Sequence, residues 1–216
     1  MKKIDVILVG AEYWKQYFLK KGCKNVYKIY SSFDLSNFNV SDEDVLNFKK
    51  KYKLQDKPII YLGNCQKAKG VVGSYNTLKY LDVHFVTSGE RKVKIPALNL
   101  NLSDRDYLIL LKASSIVISM SKFKEGWCRT AHEAMLLKTP VIGSGSGGMQ
   151  ELLEGGKQIV CRDFKDLREK VQNLLDNPRL RKKMGEDGYN FTKKFTLERF
   201  EKEWLSLIEK ILNKEN

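Results

Sequence analysis

The sequence has no long apolar run. Its best candidates, Ile4–Gly10 and Ile116–Met120, fall far short of the ~20 apolar residues that cross a bilayer. Cysteine is scarce: Cys23, Cys65, Cys128 and Cys161 are widely separated, no CxxC pair occurs, and only His84 and His132 could join them as ligands. That pattern argues against a disulfide framework or a metal cluster and for buried free thiols. Acidic residues are outnumbered, 26 to 39, which gives a formal charge of +13. The excess is spread out: residues 1–57 hold 12 basic and 7 acidic side chains, residues 58–161 hold 13 and 8, and residues 162–216 hold 14 and 11. Lys49-Lys50-Lys51 and Arg181-Lys182-Lys183 are short runs flanked by acids and read as solvated helix faces. No stripe suited to nucleic acid emerges, and weak peripheral attraction to anionic lipid headgroups is the better expectation. Met1-Lys2-Lys3 followed by an apolar stretch resembles the start of a signal peptide, but Asp5, Glu12 and Lys15 interrupt it. A core strand fits better, so a cytoplasmic protein, at most at the inner face of the membrane, is expected.

What is present is a chain able to build a core, 42% hydrophobic and 30% charged. Strand-like segments alternate with helix-like ones. Strands are expected at Ile4–Val9, Val26–Ser31, Pro58–Leu62 (ended by Gly63), Asp82–Thr87, Ala97–Leu102, Ser115–Ser119, Val141–Ile142 and Gln158–Val160. Helices are expected at Ala11–Lys21, from the Ser41 cap to Tyr52, at Gly73–Lys79, at Tyr107–Ala113 behind the cap Ser103-Asp104-Arg105-Asp106, at Arg129–Leu137, from Gln150, and from Asp166 onward. This alternation predicts an α/β fold: a Rossmann-like, doubly wound parallel sheet in three layers. Ligands of such sheets lie beyond the carboxyl ends of the strands. Those ends carry Gly63, Gly89, Ser119–Gly126 and Gly143–Gly148, all glycine- or serine-rich.

The most informative window is Ser119–Glu151. Glu125 and Glu133 lie eight apart, with Gly126 beside the first. A strand-end loop here passes into a helix. Gly126 lets the backbone approach a ligand, and the amides of Trp127, Cys128 and Arg129 at the helix N-terminus suit an anion such as a diphosphate. Glu133, a turn further on, could accept hydrogen bonds from a ribose diol.

Glu125-Gly126-Trp127, Glu133-Ala134-Met135, Thr139-Pro140-Val141 and Gly147-Gly148-Met149-Gln150-Glu151 together resemble glycosyltransferase family 4, whose pattern is close to EGFGxxxxEAMxxGxPVVxxxxGGxxE. Tyr61-Leu62-Gly63-Asn64 and Lys69-Gly70 resemble its Gly-Arg…Lys-Gly element, and Asp34 and Phe38 the Asp…Phe after the interdomain strand. The resemblance runs over about residues 26–212 and is strongest over 114–151. It implies the C-terminal, donor-binding half of a GT-B enzyme. Such an enzyme is retaining and metal-independent, takes a nucleotide sugar as substrate, and needs no cofactor. By resemblance, Lys69 would meet the donor phosphates and Glu125 the transferred sugar, as the catalytic pair. Glu133 would hold the ribose, and Gly63, Asn64, Gly126, Trp127, Cys128, Arg129 and Thr130 would complete the donor site. Base recognition would fall near Asn99–Leu102.

The sequence departs from the pattern in places. Asn64 stands where the family has Arg, for which Lys67 or Arg129 could substitute, and Trp127, Cys128 and His132 replace the usual Phe, a small residue and an apolar one. The chain also has about half the length that two Rossmann domains require. Residues 1–40 therefore read as a strand-helix-strand remnant of the interdomain segment, 41–195 as the donor domain, and 196–216 as a crossover helix. An acceptor-binding partner domain or chain is implied, and a non-catalytic donor-binding subunit is the alternative. A rival reading comes from Gly143-Ser144-Gly145-Ser146-Gly147-Gly148, which fits GxGxxG, with Asp163 twenty residues beyond its start. Against an NAD site, this run comes late in the chain and leaves room for only a short helix.

Overall fold

A computed structural model describes residues 4–213. Its main body is a six-stranded parallel sheet built from β3 (Ile59–Asn64), β4 (His84–Ser88), β5 (Leu98–Leu100), β6 (Ile116–Ser119), β7 (Val141–Gly143) and β8 (Ile159–Val160), in spatial order β5-β4-β3-β6-β7-β8. Three strands wind outward from β3 in one direction and three from β6 in the other. The order reverses between β3 and β6, which makes their carboxyl ends the topological switch point.

The central strands are apolar on both faces because helices cover both. Ile60, Leu62, Ile116, Ile118 and Ile142 face one layer, with Val71 and Leu78 of α3 (Val71–Leu78) and Leu167, Val171 and Leu174 of α7 (Phe164–Asp176). Ile59, Tyr61, Val117 and Val141 face the other. That layer holds α2 (Asp42–Tyr52), α4 (Asp104–Ala113), α5 (Arg129–Leu136) and α6 (Met149–Gly155). The expected three-layer α/β architecture is the observed one.

Local chemistry explains where elements begin. Ser41 accepts from the Asp44 amide, and Asp44 returns a bond to the Ser41 amide, which closes a capping box on α2. Ser103 caps α4, accepting from the Asp106 amide, so this helix starts three residues before the expected Tyr107. Asp163 caps α7, accepting from Lys165.

Several boundaries differ from expectation. Gly63 does not end β3. It sits inside the strand at φ +106°, and the pairing register with β4 shifts between Tyr61 and Asn64; a glycine here accommodates an irregularity while the strand runs on. The strand expected over Asp82–Thr87 is shifted to His84–Ser88, because Asp82 and Val83 belong to the turn out of α3. β5 is trimmed to the three residues that pair with β4.

Residues before the main sheet form their own unit. β1 (Ile7–Val9) and β2 (Val26–Lys28) pair in parallel, joined by α1 (Glu12–Lys20); of the expected strand Ile4–Val9, only its second half finds a partner. The unit is locked to the main body. Ala11 is fully buried, and the Glu12 amide donates to Glu151 Oε1 at 2.8 Å. The chain then crosses at Phe33, whose amide bonds the Phe195 carbonyl and which bridges Thr196. Helices α8 (Pro178–Thr192) and α9 (Leu197–Leu212) follow α7, with Thr196 capping α9.

Candidate functional site

The loops at the switch point bring the two halves of the site together. After β3 the chain makes a short 3-10 turn, Lys67–Lys69, and enters α3 through Gly70 at φ +75°. A β-carbon on Gly70 would land on the Met120 carbonyl, so glycine is what lets this loop press against the end of β6. Beyond β6, the loop from Met120 reaches Glu125. Lys69 Nζ meets Glu125 Oε1 at 2.9 Å, although the two are 56 residues apart. Ser121 Oγ donates to the same oxygen at 2.5 Å. The Lys69 side chain is 33% exposed and that of Glu125 only 9%.

Glu125 is held by its backbone as well. Its amide bonds the Ser146 carbonyl, its carbonyl accepts from the Gly148 amide, and Trp14 Nε1 donates to that carbonyl at 2.8 Å. The glycine run after β7 is thereby accounted for. Side chains at Gly147 or Gly148 would collide with the Glu125 and Gly126 backbone, so the surface a dinucleotide would need is filled by the protein. The Asp163 carboxylate caps α7. The dinucleotide reading fails on both points.

Helix α5 starts at Arg129, behind Cys128, with no side-chain cap. Its first amides are therefore available for an anion. Space around Gly126 is open: a β-carbon there would meet nothing within 4 Å. Beside this helix end lies a cleft of about 320 Å³ walled by Asn64, Ser88, Gly89, Leu102, Tyr107 and Glu133, with Asp104, Arg129 and Thr130 also on its edge. It shares Asp104, Tyr107, Arg129 and Glu133 with a second cleft of about 560 Å³ that extends to Phe33, Asp34 and Phe38. Of the sequence candidates, Asn64, Arg129, Thr130 and Glu133 line these clefts, whereas Lys69 and Glu125 pair with each other between the loops after β3 and β6 and lie outside both linings.

Two sequence candidates turn their side chains away. The Trp127 ring is buried against Tyr30 and Phe195, and its Nε1 donates to His132 Nδ1 at 3.0 Å. The Cys128 thiol is buried beside Ser119 Oγ, 3.2 Å away, and desolvation pushes its pKa up to about 11. Only the backbone of these residues borders the loop. Burial also lowers His132 to about 3, so the imidazole is neutral and part of the core. Asn99 is engaged by Thr87 and the Gly89 carbonyl, whereas Leu102 does line the cleft.

Glu133 is the largely buried acid of the cleft, its side chain 13% exposed. Burial pushes its carboxyl above the usual range, against the pull of Arg129 at 3.5 Å and of the Tyr107 hydroxyl. Arg129 lies over the Phe33 ring, 5.0 Å from its centroid. Sequence reasoning missed Ser121, Ser88, Tyr107 and Trp14, because no local spacing ties them to the motif. Among the described residues no group of three His, Cys, Asp or Glu side chains converges to hold a metal, and no helix is long and apolar enough to cross a membrane.

The family model for glycosyl transferases group 1 matches residues 42–191. The chain belongs to this family. Among curated relatives, an uncharacterised glycosyltransferase of Methanocaldococcus jannaschii is 29% identical over 157 residues, 65% of this chain and 44% of its own length. Trehalose synthase of Pyrococcus horikoshii is 33% identical over 94 residues, 43% of this chain and 22% of its own. The chain thus spans less than half the length of these two relatives. In structure it is similar to Anabaena HepE, solved in complex with UDP-glucose, with TM-score 0.88, 15% identity, and coverage of 97% of this chain and 65% of that one. It also matches sucrose-phosphate synthase of Thermosynechococcus elongatus, with TM-score 0.82, 17% identity, and coverage of 99% and 60%. The fold is that of GT-B glycosyltransferase domains.

Proposed function

We propose that this chain is the donor-binding half of a retaining, metal-independent family 4 glycosyltransferase that uses a nucleotide hexose. The observation that carries the reading is the arrangement at the switch point. An uncapped helix end and the largely buried Glu133 meet at one cleft, and the Lys69–Glu125 pair joins the loops that follow the two central strands β3 and β6.

The chemistry follows from charge. A donor diphosphate at the α5 N-terminus meets free amides and the positive end of the helix dipole. Lys69 adds a cation, and Arg129, on the rim of both clefts, supplies the charge that Asn64 lacks. These groups are fixed before the glycosidic bond breaks, so they stabilise the charge growing on the leaving diphosphate without reorganising. The Glu133 carboxylate accepts from the ribose hydroxyls, and Glu125 lies on the side of the transferred sugar. HepE, whose fold this chain shares, was solved with a sugar nucleotide of the kind proposed here.

In this reading residues 1–40 belong to the interdomain segment, 41–195 to the donor domain and 196–216 to the crossover helix. A partner domain or chain completes the acceptor site, and the charge of +13 favours contact with an anionic membrane surface. One observation, Asn64 packed against Gly89 where the family has a cation, favours a second reading, a non-catalytic donor-binding subunit.

Calorimetric titration with UDP, GDP, ADP, their sugar derivatives and NAD, in the presence of EDTA, tests the proposal. Saturable binding of one nucleoside diphosphate and its sugar supports it. Binding of NAD alone, or of none, overturns it. Sugar transfer or donor hydrolysis on adding an acceptor domain separates the enzyme from the subunit.

A further inference from the structure

At the floor of the cleft sits Tyr107, a residue outside every motif the sequence displays. It lies in the first turn of α4, fixed by its amide bond to the Ser103 carbonyl at 2.9 Å. Its ring stands edge-on to Tyr61, 6.0 Å between centroids, and Tyr61 is itself anchored by a 2.7 Å bond to Ser88 Oγ. The ring therefore has little freedom. Its hydroxyl donates to Thr130 Oγ1 at 3.2 Å, and Tyr107 lines both clefts together with Glu133, one turn further along α5. A phenol has one proton to give, so Thr130 and Glu133 compete for it.

Building on the donor-site reading, we propose that Tyr107 is a positioning residue whose hydroxyl orients the Glu133 carboxylate, so that its outer oxygen faces a vicinal diol in the cleft. Several groups bear on that carboxylate: Arg129 from its own helix, Tyr107 and Asp104 from α4, and Tyr61 from β3. Arg129 is 69% exposed and free to leave for a phosphate. Tyr107 is partly buried, and desolvation pushes its own ionisation well above the usual tyrosine range, so it stays a donor at every working pH. When a diphosphate draws Arg129 away, Tyr107 is the donor that remains to hold Glu133 ionised.

The experiment follows the Glu133 carboxyl by ¹³C NMR across an acid-to-neutral titration of the ligand-free chain, in wild type, Tyr107→Phe and Thr130→Val. This readout needs no ligand, so it stands even if nucleotide binding is never seen. The Glu133 midpoint is expected to move up in Tyr107→Phe, which loses a donor, and down in Thr130→Val, which removes the competing acceptor. The same variants are then titrated with UDP, GDP and ADP. In Tyr107→Phe, affinity for whichever diphosphate the wild type binds should fall about tenfold or more, the size of a hydrogen bond to a charged group, and its loss on acidification should begin at a higher pH. Unmoved Glu133 midpoints overturn the proposal. So does an affinity loss that is uniform across pH, which is the mark of a merely structural ring.

Discussion

Replacing Lys69 by methionine, which keeps the aliphatic stem and removes the charge, isolates the contact on which the site turns. Glu125 is then left in a nearly buried position with Ser121 alone as its side-chain partner. Breaking a fully buried ion pair from one side costs about 3–5 kcal/mol. Here the lysine is a third exposed and the serine bond survives, so about 2 kcal/mol is the expected loss. For a chain of this size that lowers the thermal midpoint by about 4–8 °C. Adding Glu125→Gln removes the stranded charge while keeping an oxygen for Ser121 to reach, and most of the stability should return. Binding should not return, because a charge-assisted contact to phosphate is still missing; nucleoside diphosphate affinity should stay about 10- to 100-fold low. Thermal melts and calorimetry on the wild type, both singles and the double supply the full cycle. The reasoning is refuted if Lys69→Met binds as the wild type does, or if the double variant is no more stable than that single.

Glu133→Gln should act in opposite directions on stability and binding. Burial raises this carboxyl in the folded state, so its charge disfavours folding above the unfolded value and the penalty lifts as pH falls through the folded one. The variant should melt slightly higher than wild type at pH 7 and bind nucleotide more than tenfold less tightly. His132 behaves the other way round. Its folded value is depressed to about 3 from 6.5, so its contribution is complete above about pH 6.5 and is lost between there and pH 3, by up to about 1.4 kcal/mol per pH unit; urea melts across that window should flatten in His132→Gln. Gly70→Ala should destabilise by roughly 2 kcal/mol or more, since it adds left-handed strain to a collision with the Met120 carbonyl, and denaturant melts would report it.

The legibility of these features in the sequence follows the range of the physics behind them. Ser41 and Ser103 could be named as caps because a cap and its amides lie within three residues. The central strands were plain because Ile59–Leu62 and Ile116–Ile118 are buried on both sides and so are apolar throughout. Short outer strands were overdrawn: Val26–Ser31 pairs only over Val26–Lys28, since extended sequence does not say where a partner ends. The motif glutamates and Lys69 were found by their pattern, but their contact was not, because strand order decides which loops meet. Glu151 was read as part of a family signature, and in the fold its carboxylate binds the first amide of α1. Trp127 drew notice as an aromatic beside a glycine, yet its ring belongs to a cluster with Tyr30, His132 and Phe195 drawn from three distant segments.

The switch point has a consequence for how the chain may be divided. Lys69 follows β3, Glu125 and Glu133 follow β6, and three strands lie on each side of the seam between them. A cut in the loop between β5 and α4 would separate the molecule into two pieces, each with half a sheet and neither with both walls of the cleft. Ligand binding by such a pair would therefore be an all-or-none signal of their reunion. Any method that scores binding also scores whether the two halves of the sheet have joined in register.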